Sequence, residues 1–78
     1  MTKSLSIVIP VYNERATVTT LLDRVAAAPL LAGIAEIEMV VVDDSSGDGT
    51  WDVLEGWRPT PREDGTPIAV IRDRHAQN

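Results

Sequence analysis

Three valines in a row, Val40-Val41-Val42, run straight into two aspartates, Asp43-Asp44. β-Branched residues favour extended backbone, and an apolar run without polar alternation suits a parallel strand covered on both faces by helices. Ile37 to Val42 therefore reads as a buried strand whose carboxyl end carries the acid pair. Ser4 to Pro10 reads the same way, with Leu5, Ile7, Val8 and Ile9 as its apolar run. Pro10 donates no ladder hydrogen bond and so ends that strand.

The stretch between the two strands has a different period. Val18, Leu21, Leu22 and Val25 recur at i, i+3, i+4 and i+7 and predict a helix from about Glu14 to Ala28. Asn13 suits the N-cap, Glu14 complements the positive helix end, and Pro29 stops the helix. After the second strand, residues 43–49 are too polar and glycine-rich for regular structure. A short helix follows from about Thr50 to Trp57, capped by Asp48 or Thr50, with Val53, Leu54 and Trp57 facing the sheet. Pro59 to Pro67 is a turn-rich loop, Ile68 to Ile71 a third strand, and the last seven residues show no structure of their own. The expected fold class is α/β: a three-layer βαβαβ half of a Rossmann-like nucleotide-binding domain, its parallel sheet built by right-handed crossovers.

With 78 residues the chain has room for a single small domain, residues 1–78, and no cysteine is available to brace it. That composition fits a reducing, cytoplasmic setting. The net charge is −5 and the basic residues form no stripe, which argues against nucleic acid as a partner. No run approaches the roughly 20 apolar residues a membrane helix needs.

Open α/β sheets bind ligands beyond the carboxyl ends of their strands. Tyr12 there offers a flat face for a base, and an ionised Asp43 or Asp44 accepts a ring N–H of uracil or guanine. Glu14 suits a ribose hydroxyl. Neither G-x-G-x-x-G nor G-x-x-x-x-G-K-[ST] occurs, so the common phosphate cradles are missing. Acid walls around a diphosphate call for a divalent cation, yet no further carboxylate pair follows the third strand to hold one.

Each residue also has a plainer reading. Tyr12 can shield a strand end, Asp43 and Asp44 can organise their loop, and Glu14 can simply favour a helix start. Of the two aspartates, Asp44 is preferred for the nucleoside. Asp48 is read as a cap, Trp51 and Trp57 as packing, His75 as an exposed tail residue, Arg72 and Arg74 as a solvated strand end, and Glu63-Asp64 as a surface turn.

Two segments, Ser6-Ile-Val-Ile-Pro-Val-Tyr-Asn-Glu14 and Val40-Val-Val-Asp-Asp-Ser-Ser-Gly-Asp-Gly-Thr50, resemble the opening strand and second-strand loop of family 2 glycosyltransferases. The continuation Thr50-Trp-Asp-Val-Leu54 is similar to the dolichol- or polyprenol-phosphate mannosyltransferase branch. The resemblance covers Leu5 to Leu54. It implies a GT-A fold and inverting transfer from a UDP- or GDP-sugar to an acceptor hydroxyl. By motif position, Pro10, Tyr12, Glu14, Val42, Asp43 and Asp44 would contact the nucleoside. The Asp-x-Asp motif for Mg²⁺ or Mn²⁺, and the general base, lie further along such enzymes. The expectation is thus a truncated nucleotide-binding part, inactive alone, of a metal-dependent parent that is itself compatible with membrane association. A receiver-like signalling module is disfavoured because its acid pair belongs on the first strand. The stronger alternative is a non-catalytic, self-associating module that forms a homo-oligomer through the bare edge at Leu5–Ile9.

Overall fold

A computed structural model describes residues 3–75. Strand β1 (Lys3–Val11), helix α1 (Val18–Ala27), strand β2 (Ile34–Asp44), helix α2 (Thr50–Gly56) and strand β3 (Ile68–His75) follow one another along the chain. The strands are parallel and lie in the order β1-β2-β3. The α/β class and the βαβαβ order of a Rossmann-like half-domain are those the sequence predicts. No helix among the described residues is long and apolar enough to cross a membrane.

The layering differs from expectation. Ile9, Val11, Ile37, Met39 and Val41 are buried together with Val18, Leu22 and Ala26 of α1, Leu54 of α2, and Trp57. All of them belong to one core, so both helices cover the same face of the sheet. The Trp57 indole ties the two helical segments by donating to Asp23 Oδ1 at 2.9 Å. On the other face Val8, Val40 and Ile71 share one register row, and Val8 is 66% exposed. Two-sided coverage, and with it the third layer, is therefore not met among the described residues. Chirality explains this: successive right-handed crossovers that keep adding strands in one direction stack their helices on a single side.

Element ends also shift. Residues 15–17 form a turn, and α1 begins at Val18 rather than Glu14. Asn13 is not the N-cap; it sits in the left-handed region at φ 48°. Strand β3 continues past Ile71 because Val41 to Asp44 keep pairing with Arg72 to His75. Of the last seven residues, four are thus strand, and residues 76–78 lie outside the described part.

Arginines close both helix C-termini, where unpaired carbonyls carry partial negative charge. Arg62 Nη1 donates to the carbonyls of Ala26 and Ala28 at 2.7 and 2.9 Å. Arg72 donates to those of Leu54 and Trp57, and Arg58 adds bonds to Glu55 and Trp57. Arg72 is therefore a structural cap, not a free strand-end cation. Burial pushes its guanidinium below its ordinary value, with Arg58 acting in the same direction.

Arg62 is held in turn by Asp64, at 2.9 Å. This guanidinium, helped by the Thr66 backbone N–H, keeps the Asp64 carboxyl well below the usual carboxylate range. A carboxyl lowered on folding stabilises fully above its unfolded value of about 3.9, and that stabilisation is lost as pH falls toward the folded value. Asp64→Asn is accordingly expected to flatten the decline of unfolding free energy below about pH 4, followed by urea titration. An acid limb of unchanged slope would assign the decline to other carboxylates. Asp48, also lowered, comes first among these.

Candidate functional site

Period-2 alternation sorts the residues at the strand tips. Val11 and Asp43 are register partners, and both are buried beneath the helices. Pro10, Val42 and Asp73 form the neighbouring row, which belongs to the open face. Asp44 ends β2 opposite His75 and is exposed. Tyr12 and Asp44 directly follow Val11 and Asp43, the last register pair of β1 and β2. Tyr12 is 58% exposed. The sheet therefore brings an aromatic ring and a carboxylate to adjacent tips, with Pro10 and Val42 one step behind.

The two aspartates have separate surroundings. Asp43 is fully buried; its Oδ1 accepts from the Ser46 backbone N–H at 3.2 Å and from the Ser46 hydroxyl. Its Oδ2 is buried without a hydrogen-bond partner among the described residues. Asp44 is exposed, and its carboxylate holds no such buried bonds among the described residues. The side chain of Asp43 organises the loop that follows it, the plainer of the two roles the sequence allows. Glu14 is half-buried, and its carboxylate accepts from the Tyr12 N–H at 3.3 Å.

The loops after β1 and β2 interlock. The consecutive backbone N–H groups of Asn13, Glu14 and Arg15 donate to Ser46 Oγ, Thr50 Oγ1 and Asp48 Oδ2 at 2.7, 3.0 and 3.2 Å. Asn13 returns the contact, its Oδ1 accepting from the Gly47 N–H at 2.8 Å. Asp48 also accepts from the backbone N–H and hydroxyl of Thr50, which opens α2. Ser46 and Thr50 are buried. Gly49 joins these residues at φ 92°, a backbone angle that favours glycine.

This interlock has a chemical consequence. In dinucleotide-binding folds the free N–H groups before the first helix hold the pyrophosphate. Here the protein's own Ser46, Asp48 and Thr50 take them, and a second anion beside the Asp48 carboxylate would be repelled. The missing glycine fingerprint and the filled cradle agree. Phosphate has no seat there.

Sequence reading missed Asn13, Ser46, Asp48 and Thr50 as a connected set. A signal was present: Asp43 followed three residues later by Ser46 is a side-chain-to-backbone turn pattern, and Asn favours left-handed backbone. Trp51 carries the Arg74 guanidinium over its ring at 5.5 Å, so Arg74 is engaged as well. His75 faces Asp73 at 3.8 Å and accepts, through its carbonyl, from Ser45 Oγ at 2.7 Å.

The described residues do not fit a complete metal site. No three His, Cys, Asp or Glu side chains converge among them, and Asp43 is enclosed. An open concavity of about 530 Å³ lies instead at the amino end of the sheet, between Ala27 and the loop from Thr60 to Asp64. Of its three charged groups, Arg62 and Asp64 pair with each other and Glu63 is left as an exposed acid, so the strand tips remain the better chemical candidate.

The family model described as "Glycosyl transferase family 2" matches residues 6–78. Over 73 residues the chain is 44% identical to the undecaprenyl-phosphate 4-deoxy-4-formamido-L-arabinose transferase of Pseudomonas syringae pv. syringae (strain B728a). It is 40% identical over 73 residues to the transferase of that name from Yersinia pestis (strain Pestoides F). Each alignment covers 94% of this chain and 21% of the relative, so the chain spans about a fifth of their length. No solved structure matches the chain.

The roles of the acid pair separate experimentally. Asp43→Ala strips Ser46 of its buried partner and is expected to cost about 2–3 kcal/mol of stability. Asp44→Ala, at an exposed position, is expected to stay within about 0.5 kcal/mol. Urea unfolding of the two variants checks the contrast, and equal losses would refute the division of labour.

Proposed function

The chain belongs to glycosyl transferase family 2, and on that premise we propose that its strand tips grip the nucleoside of a UDP- or GDP-sugar donor. The observation that carries this reading is that exposed Tyr12 and Asp44 each directly follow a member of the last β1–β2 register pair, Val11 and Asp43. Tyr12 stacks on the base, and the Asp44 carboxylate accepts the ring N–H that uracil and guanine both present. Pro10 and Val42 supply apolar contact behind them. Glu14 orders the Tyr12 backbone and reaches the ribose. Asp43 acts from below, through Ser46.

In the whole enzyme the sugar would move from the nucleotide to an acceptor with inversion. A divalent cation, Mg²⁺ or Mn²⁺, would offset the diphosphate charge there, and the described residues do not form its site. The relatives' names point to a polyprenyl phosphate as acceptor, in line with the polyprenol-phosphate branch that Thr50–Leu54 resembles. A phosphate monoester has its second pKa near 6. Such an acceptor is largely ionised at neutral pH and asks less of a general base than a hydroxyl does. With the diphosphate clamp outside these residues, this chain alone is read as a binder without turnover.

Titration of UDP and GDP with Mg²⁺, followed by Tyr and Trp fluorescence and by amide shifts, tests the reading. Binding is expected near 1 mM, equivalent to about −4.1 kcal/mol. Tyr12→Ala is expected to remove about 1–3 kcal/mol of it. Shifts confined to the loop from Thr60 to Asp64 would overturn the assignment.

A second reading draws on the open sheet. β1 ends the described sheet, and Val8 and Ile71 are exposed on its uncovered face. Unpaired edges and bare apolar rows promote association. The chain is then expected to sediment as a dimer or larger species whose share grows with concentration. A monomer across the whole series would remove this reading.

A further inference from the structure

We propose that Asn13 is a positioning residue for nucleoside recognition: with Ser46 it fixes the distance between Tyr12 and Asp44. The inference rests on the nucleoside reading above and adds a residue to it.

The argument starts from chain neighbours. Tyr12 is bonded to Asn13, and Asp44 to Asp43. Tyr12 and Asp44 face solvent, while their chain neighbours, exposed Asn13 and buried Asp43, are linked through one buried hydroxyl. Ser46 Oγ donates to Asp43 Oδ1 and accepts from the Asn13 N–H at 2.7 Å. Asp43 is fully buried and Ser46 nearly so, which anchors the path in the core. Asn13 Oδ1 adds a second tie by accepting from the Gly47 N–H at 2.8 Å. Two bonds from one residue, to points one residue apart on the partner loop, restrain rotation as well as separation. The left-handed backbone of Asn13, φ 48°, presents both groups to that loop. Asn tolerates this conformation better than most residues do.

Neither Asn13 nor Ser46 lies in a strand, and the hydrophobic core contains neither of them. What the splint controls is the mutual placement of the two loop starts. A ligand held between an aromatic face and a carboxylate is sensitive to that placement, because both contacts have narrow geometry.

The test uses the full chain, with UMP and GMP as probes so that no metal is required. Asn13→Gly keeps the left-handed backbone and deletes the Oδ1 acceptor. It is expected to weaken nucleotide binding about fivefold, as loss of one oriented hydrogen bond would. Asn13→Asp keeps an acceptor and is expected to bind within about twofold of wild type. Arg62→Lys, at the amino end of the sheet, lowers stability and is expected to leave affinity unchanged. Should Asn13→Gly fail to fold, Asn13→His, which also favours left-handed backbone, takes its place. Wild-type affinity in the Asn13→Gly chain would overturn the positioning role and leave the nucleoside reading intact. So would equal weakening in Arg62→Lys, which would make the effect one of stability. Absence of shifts at Tyr12 and Asp44 in the wild type would overturn both.

Discussion

Three successive backbone N–H groups, those of residues 13 to 15, are all satisfied by side chains from a loop more than thirty residues away. Much of the functional end of the molecule depends on this arrangement. It joins the two strand exits, delays the start of α1 to Val18, and positions the opening residue of α2. It also occupies the donors that many α/β proteins reserve for phosphate. An acidic side chain fills a place that a substrate anion takes elsewhere.

The strands were legible because β-branched runs leave little choice of backbone. Their faces were not. An unbroken run such as Val40-Val41-Val42 has no polar alternation to say which side chain points inward, so the same letters describe a strand covered once or twice. The order β1-β2-β3 decides the matter, and strand order is a long-range property. The acid pair shows the same limit at a finer scale. Asp43 and Asp44 are chemically identical in the sequence, yet one step along the pleat puts the first among Val11 and Ser46 and the second in solvent. Asn13 was visible as a polar residue before a helix and was read as a cap; only the folded loop gives it a partner at Gly47. Arg72 was hidden for another reason, since a cap contributed by a later strand leaves no local signature.

The relatives are about five times longer than this chain. Both helices lie on one side of the sheet, and the row of Val8, Val40 and Ile71 lies on the other.

The arginine closures of the helices bear on how such a chain is born. The end of α1 waits for Arg62, and the end of α2 waits for Arg72, each delivered by residues synthesised later. On the ribosome the end of α1 is capped once the loop at Arg62 has emerged, and the end of α2 gains its Arg72 bonds only with the third strand. Native structure is therefore expected to arrive late and together, with no stable resting point halfway along the nascent chain.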